Sequence, residues 1–540
     1  MELYSENESY KLYHGNMLDM LEVIEPNSID SIITDPPYEL NFMGKGWDNS
    51  GIAFQPDTWQ KCYEVLKPGG YLLAFGGSRT FHRIACAIED AGFEIRDTIM
   101  WLYGSGFPKS MDISKQIDKR GGESTSWFGE YLKNTLKEKN MAYSDLAKHF
   151  LSKTGGITGC VHNWVEGKNM PTIEQFNKIC EILDLPFKKT EEAEREVIGK
   201  GKAGLTKGTI ANFAGTTEFD ITAPATDLAK QWQGWGTALK PSFEPIIVAR
   251  KPFKGSLVDN VIEYGVGGIN IDECRVNFVN DEDYKITANK NQHEKFGTKP
   301  MTNNNVYGDY SMIQPKNYSA TGRFPANTIL TYDETDFDEV CGNFPNSKGA
   351  SSQNNYSNGH IYRGQSLQES KTSLNGYREW YNDNGSASRY FYCAKASKKD
   401  RDEGLDEFEE VDTTELLNRK ANTAGVLWEQ GGTNAFSGAG GIKKNIHPTV
   451  KPTELMQYLV RLVSPDGATI LDPFNGSGST GKAVMYENKE RNKNYKYIGI
   501  ELTDEYLPIS KARIEYVCNL EPEKDNQMTI FDFIGEENGN

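Results

Sequence analysis

The 540-residue sequence predicts an α/β fold, a doubly wound and mostly parallel sheet, on three observations. Strand-like segments alternate with segments of helical spacing over the first hundred residues, a βαβα rhythm that lays strands side by side. The strands are short apolar runs, Ser31-Ile32-Ile33-Thr34, Ala468-Thr469-Ile470-Leu471 and Tyr497-Ile498-Gly499-Ile500, as expected where helices cover both faces of a sheet. The first and third stop at an acid, Asp35 and Glu501, and the second runs into a glycine-rich turn. Ligands gather outside the carboxyl ends of such strands.

Taken in order, Tyr10 to His14 reads as a strand, and the chain then loops through Gly15 to Asp19. Asn41 to Asp48 is a glycine-punctuated loop with two aromatics, fit for a lid, a ligand contact or a plain connection. Trp59 to Leu66 has helical spacing, Lys67-Pro68-Gly69-Gly70 is a turn, and Tyr71 to Phe75 is a strand. Arg79 to Gly92 is the next helix, and Phe93 to Trp101 returns as a strand. The antiparallel partner expected after it is deferred to Glu244-Pro245-Ile246-Ile247-Val248-Ala249-Arg250, with an insertion between. From Lys251 to about Gly440 periodicity fades into Asn, Gly, Ser and Tyr, with strand-like pieces at Gly268 to Val276 and Phe324 to Tyr332. Past Glu501, Asp504 to Val517 reads as a covering helix, followed by an acidic tail.

Asp35-Pro36-Pro37-Tyr38 carries the chemistry. Pro37 forces Pro36 into an extended conformation, and neither proline has an N–H, so the Pro36 carbonyl can project beside the Asp35 carboxylate. Two adjacent acceptors suit a planar exocyclic amino group with its two N–H donors. Tyr38 adds a face on which a base could stack, a contact worth roughly 1–3 kcal/mol in single-strand binders. A Pro-Pro turn closing a core strand is the plainer alternative. A second motif follows far down the chain: Asp472-Pro473-Phe474-Asn475-Gly476-Ser477-Gly478-Ser479-Thr480-Gly481 opens a helix, and its glycines let backbone approach a ligand. Glu501, some twenty residues on, is placed to accept from ribose hydroxyls. By themselves these features fit a nicotinamide or flavin oxidoreductase as well as an enzyme using a nucleoside sulfonium.

Together, Asp35-Pro-Pro-Tyr38 and Phe474-x-Gly476-x-Gly478 resemble the amino-group DNA methyltransferases that use S-adenosyl-L-methionine. The stretch His447-Pro448-Thr449-Val450-Lys451-Pro452 is similar to the family segment that packs over the methionine end of the cofactor. Catalytic motif first and cofactor loop last is the permuted order of the family's β class. The resemblance implies a permuted Rossmann-like methyltransferase fold, with Asp35, Pro36, Pro37 and Tyr38 catalytic. It implies cofactor contacts from Asp19, His447, Thr449, Lys451, Pro452, Asp472, Phe474, Asn475, Gly476, Gly478, Ser479 and Glu501. It also implies that the loop from Trp101 to Lys109 helps hold a flipped base in duplex DNA. Asp at the first motif position is commoner among the family's adenine enzymes, so N6-adenine is expected, with N4-cytosine the alternative. None of the motifs is damaged, which speaks against a regulatory protein on an inactive methyltransferase fold.

Within the insertion, Ser144-Asp145-Leu146-Ala147, Gly159 to Lys168 and Met170 to Phe176 resemble the helix-turn-helix domains of phage-type repressors, with Ser152 to Gly156 lengthening the turn. An accessory DNA-binding module is the functional reading and a structural helical insert the other. The expected division is 1–120 catalytic half, 127–190 helix-turn-helix, 191–250 return to the sheet, 251–440 target-recognition region, 441–520 cofactor half and 521–540 acidic tail. In that tail Gln527-Met528-Thr529-Ile530-Phe531 resembles the peptide by which bacterial replication proteins dock on the sliding clamp.

Composition bounds the rest. At this length two or three domains are expected. With 59 Lys and Arg against 76 Asp and Glu the net charge is −17, so a DNA-binding protein must gather its basic residues on one face. Arg389 to Lys395, followed by Lys398 and Lys399, interleaves basic and aromatic groups and is one candidate. The 8 cysteines form no C-x-x-C pair, which indicates neither a zinc site nor a disulfide framework. No stretch approaches a membrane span and no signal region opens the chain, so a cytoplasmic protein without a membrane partner is expected. The reading is compatible with a homodimer.

Overall fold

The computed structural model describes residues 2–40, 50–103, 110–119, 126–151, 159–168, 170–186, 195–202, 218–278, 284, 322–332, 346–347, 385–386, 391–395, 398–412 and 442–520. Ten strands form one sheet: β1 (Glu2–Glu6), β2 (Tyr10–His14), β3 (Ile29–Thr34), β4 (Leu66–Phe75), β5 (Glu94–Tyr103), β6 (Phe243–Arg250), β7 (Thr328–Tyr332), β8 (Tyr392–Lys395), β9 (Thr469–Asp472) and β10 (Lys496–Glu501). Their order is β1-β2-β10-β9-β3-β4-β6-β5-β7-β8. β3 is buried at every residue and lies between β9 and β4, parallel to both. A strand with both edges paired and both faces covered carries apolar residues, here Ile29, Ile32 and Ile33, or polar ones whose side chains are bonded, as Asp30 is to Lys67, Ser31 to Ser464 and Thr34 to Asp472. β6 is antiparallel to β4 and to β5, the deferred partner that the sequence predicts.

The strand pleat sends alternate residues to opposite faces. Ile33, Leu73, Phe75 and Ile470 join one apolar cluster with the helices α4 to α6, defined below, and Ile32, Leu72, Ala74 and Leu471 join another with α1 to α3. The second cluster is covered by α1 (Met17–Leu21), α2 (Pro56–Val65) and α3 (Phe81–Asp90). The first is covered by α4 (Thr453–Val463), α5 (Ser479–Glu490) and α6 (Leu507–Asn519). The sheet is thus wound on both sides, as α/β doubly wound folds are.

Four local expectations change. The segment after Gly15 is a helix, because the Asn16 side chain accepts the Leu18 N–H and caps α1. Lys67 to Gly70 is a bulge inside β4: Leu66 pairs with Ile29, and pairing resumes at Tyr71 opposite Ser31, with Gly69 at a φ of 81°. Gly268 to Val276 forms a turn and a single bridge from Val276 to Arg323, since Asn270 and Asp272 bond the Glu273 N–H and the Arg275 side chain locally. Tyr392 is not a surface aromatic; its ring stacks on Tyr458 of α4 at 4.1 Å in the core. Arg389 and Tyr390 lie outside the described residues, as do Asn41 to Asp48, Ser152 to Gly156 and Gln527 to Phe531.

The described residues between 110 and 241 make a second compact unit. Its helices Ser126–Glu138, Tyr143–Ala147, Cys160–Val165 and Ile173–Leu183 close around Phe128, Leu132, Leu146, Trp164, Phe176 and Ile179. Thr172 and Gln175 form a capping box at the start of the last. Strands Val197–Lys202 and Glu218–Thr222 form a separate hairpin in the same unit. There the buried Asp118 carboxylate accepts from Arg195, from the Ala225 and Thr226 backbone and from the Thr226 hydroxyl. No helix of the described residues is long and apolar enough to cross a membrane.

Under the sheet, Arg461 of α4 donates twice to the fully buried Glu487 of α5, at 2.5 and 3.2 Å. Arg461→Leu is expected to lower stability by about 3 kcal/mol, leaving that buried carboxylate only Gln457 at 3.3 Å and Arg491 at 3.6 Å. Adding Glu487→Leu should recover most of the loss, and urea midpoints of both variants check this.

Candidate active site

Adjacent parallel strands β3 and β9 deliver Asp35 and the glycine loop to the same edge of the sheet. The two are tied by Asp472, whose buried carboxylate accepts the Thr34 hydroxyl at 2.6 Å, the Thr480 hydroxyl at 2.6 Å and the Phe474 N–H at 3.1 Å. Burial pushes its carboxyl up to about 6. Asn475 is buried and internal to the loop, accepting from Tyr497 and donating to Ser510. The Ser479 hydroxyl, at the start of α5, accepts from Arg513.

Gly476 adopts a φ of 53° and donates its N–H to Glu501 at 2.7 Å, while Thr503 N–H donates to the other Glu501 oxygen at 2.8 Å. A β-carbon on Gly476 would stand 2.9 Å from the His447 ring, so only glycine fits under that imidazole. His447 meets Tyr506 edge-on at 4.6 Å, and its carbonyl accepts from Arg401 at 2.6 Å. Burial, helped by Lys451 and Arg401, lowers the imidazole to about 3, so the ring is neutral near pH 7. Burial raises Glu501 to about 7.

Around Asp35 the structure is a charge cluster. Lys451 donates to Asp35 Oδ2 at 2.6 Å and lies 3.5 Å from Glu244 Oε2. Tyr38 donates its phenol to that same Glu244 oxygen at 2.8 Å. The ammonium faces the rings of Phe75, Tyr38 and Trp101 at 5.0, 5.4 and 5.9 Å. Burial alone would lower the Lys451 pKa, but Asp35 and Glu244 together raise it. Burial, with Asp35 and Glu244 beside it, holds the Tyr38 phenol well above its usual value. Asp35 Oδ1 is buried and has no hydrogen-bond partner among the described residues.

Residues 29–179 and 230–512 match the sequence model of the N6/N4 DNA methylase family, well over half of the chain. The protein belongs to that family. The methylase is 26% identical over 229 residues to the type II methyltransferase M2.LlaDCHI of Lactococcus lactis subsp. cremoris, covering 37% of this chain and 81% of the relative. It is 34% identical over 117 residues to the type II methyltransferase M.HpaI of Haemophilus parainfluenzae, covering 20% and 36%. Among solved structures, the PvuII cytosine-N4-specific DNA methyltransferase aligns over 99% of this chain and 94% of its own, at 10% identity and a TM-score of 0.32.

Of the residues singled out in the sequence, the methylase brings Asp35, Tyr38 and Lys451 into one cluster and His447, Gly476 and Glu501 into another. Phe474 packs into the α1 to α3 cluster, its ring 6.4 Å from Trp59. Gly478, at a φ of 74°, sits where a β-carbon would reach 2.5 Å from Ser510 Oγ. Pro452 is the N-cap residue of α4, and Thr449 is exposed with its N–H on His447. Asp19 is exposed on α1 and hydrogen-bonds none of the other candidates among the described residues. Glu244 was expected only as the start of the deferred strand and not as a site residue. Its signal was topological: an antiparallel strand starts at the edge where its parallel neighbours end.

A carboxylic acid whose folded value is raised binds its proton more tightly in the fold than in the unfolded chain. The stability from Glu501 is therefore fully present below its unfolded value of about 4.5 and is lost as pH rises through about 7. Asp472 acts in the same sense, over a window that closes near pH 6. Glu501→Gln should gain on the native protein by on the order of 3 kcal/mol between pH 4.5 and 7.5, because Asp472 titrates in both proteins and its contribution cancels in the difference. Urea midpoints of both proteins across that range measure it.

Proposed function

We propose that the methylase transfers a methyl group from S-adenosyl-L-methionine to the N6 amino group of an adenine flipped out of duplex DNA. The observation that carries this is Asp35: one carboxylate oxygen is held by Lys451 and the other is a buried acceptor without a partner among the described residues, beside the half-buried Tyr38. A buried orphan acceptor costs about 1–3 kcal/mol unless a ligand supplies the donor, and an exocyclic amino group has the donors to do so. The cofactor fits the second cluster: glycine backbone at positive φ, a neutral imidazole and a buried acid form a cradle with no side chain at Gly476 or Gly478. Bound there, S-adenosyl-L-methionine supplies an electrophilic methyl on a sulfonium.

The remaining chemistry belongs to this chain. A paired amino group cannot reach the site, so the base leaves the stack. Tyr38 stacks on it, and Asp35 Oδ1 with the Pro36 carbonyl holds the amino hydrogens, turning the nitrogen lone pair towards the methyl. Asp35 or water takes the surplus proton afterwards. The choice of adenine rests on the aspartate at the first motif position, in a family whose members methylate either amino group. Residues 251–440 serve target recognition in this reading, and 127–190 act as a helix-turn-helix that adds DNA affinity. The clamp-like peptide at Gln527 to Phe531 lies outside the described residues.

Asp35→Ala is expected to lower methyl transfer by roughly 100-fold or more, while cofactor affinity stays within a few-fold. The assay is incorporation of labelled methyl into unmodified duplex DNA, followed by digestion to nucleosides. N6-methyladenine is the expected product. N4-methylcytosine would change the base and keep the mechanism, whereas an active Asp35→Ala protein would end the reading.

A further inference from the structure

Glu244 is the buried-edge carboxylate that neither motif contains. It stands at the start of β6, opposite Trp101 of β5, with its side chain 22% exposed. One of its oxygens takes the Tyr38 phenol at 2.8 Å and lies 3.5 Å from the Lys451 ammonium. Tyr103 is also turned towards it.

The charges explain why a second carboxylate belongs here. Asp35 and Lys451, 2.6 Å apart, form a pair of formal charge zero. In methyl transfer the sulfur–carbon bond breaks as the nitrogen–carbon bond forms, so positive charge moves from sulfur to the amino nitrogen, which then sheds a proton. A neutral pair offers that arriving charge little, and a lysine beside it opposes it. Adding Glu244 returns the cluster to a formal charge of −1 where the positive charge is delivered, inside an aromatic box that limits screening by water. Resting on the amino-transfer reading above, we propose that Glu244 is a positioning residue for this reaction through its charge: it offsets Lys451, leaving Asp35 a net anionic site for the methylated nitrogen.

Two variants separate charge from contact. Glu244→Gln keeps an oxygen for the Tyr38 phenol and removes the charge, whereas Glu244→Asp keeps the charge and draws it back from the phenol. With labelled S-adenosyl-L-methionine and unmodified genomic DNA, Glu244→Gln should lower kcat by roughly 10- to 100-fold with KM for cofactor and DNA within about two-fold, the mark of an interaction made in the transition state. Glu244→Asp should retain kcat within about five-fold. Wild-type kcat in Glu244→Gln, alongside an inactive Asp35→Ala control, overturns the role of Glu244 and leaves the amino-transfer reading standing. Equal losses in both variants, or a loss in Glu244→Gln that follows a lowered melting temperature, assign Glu244 to contact or folding and also overturn the proposal. An active Asp35→Ala control removes the reading beneath it.

Discussion

The buried carboxylate of Asp472 is the point on which the site depends. It receives hydroxyls from Thr34, at the end of β3, and Thr480, in the first turn of α5, and the first of these is 438 positions away in sequence. Without that carboxylate the two strands would still pair, but their carboxyl-terminal loops would have no common origin. Because it is desolvated and shared among three donors, it fixes the loop through Phe474 and Gly476 relative to Asp35. The glycine at 476 then brings backbone against His447, and the distance between the two clusters follows from covalent geometry.

The same edge of the sheet shows how a protein of net charge −17 manages a cationic group in its interior. Lys451 is buried, and an isolated ammonium there would cost several kcal/mol. Two carboxylates and three aromatic rings compensate it. A related arrangement holds Lys482, fully buried between Asp400 and Glu403, and through Arg401 the same segment reaches the His447 carbonyl. Residues 400–403, which lie within 251–440, are thereby bonded directly to the segment that carries His447.

What could be read from the sequence was what is locally encoded. Unbroken apolar runs marked β3, β9 and β10, and the acids and glycines beyond them marked the edge where the candidate residues gather. The bulge at Lys67 to Gly70 was missed because Pro-Gly chemistry is the same in a turn and in a bulge, and only the partner strand decides between them. The direction of Lys451 was invisible for a different reason. Its position in the His447 to Pro452 segment gives no hint that its ammonium spans to Asp35, just past the end of β3. Glu244 lay beyond reach because its role depends on β6 running antiparallel between β4 and β5 after a long excursion of the chain.

The pairing of β3 with β9 also carries a consequence for biosynthesis. β3 can meet β4 as soon as both have left the ribosome, but its other edge, a bare ladder of N–H and C=O groups, waits for a strand encoded more than four hundred residues later. At elongation rates of about 5–20 residues per second that delay is about 20–90 s. Throughout it the nascent chain exposes an apolar strand edge of the kind that aggregates or recruits chaperones. Until β9 arrives the chain has neither Asp472 nor the glycine loop, so methyl transfer has to wait for translation to pass the last strands of the sheet.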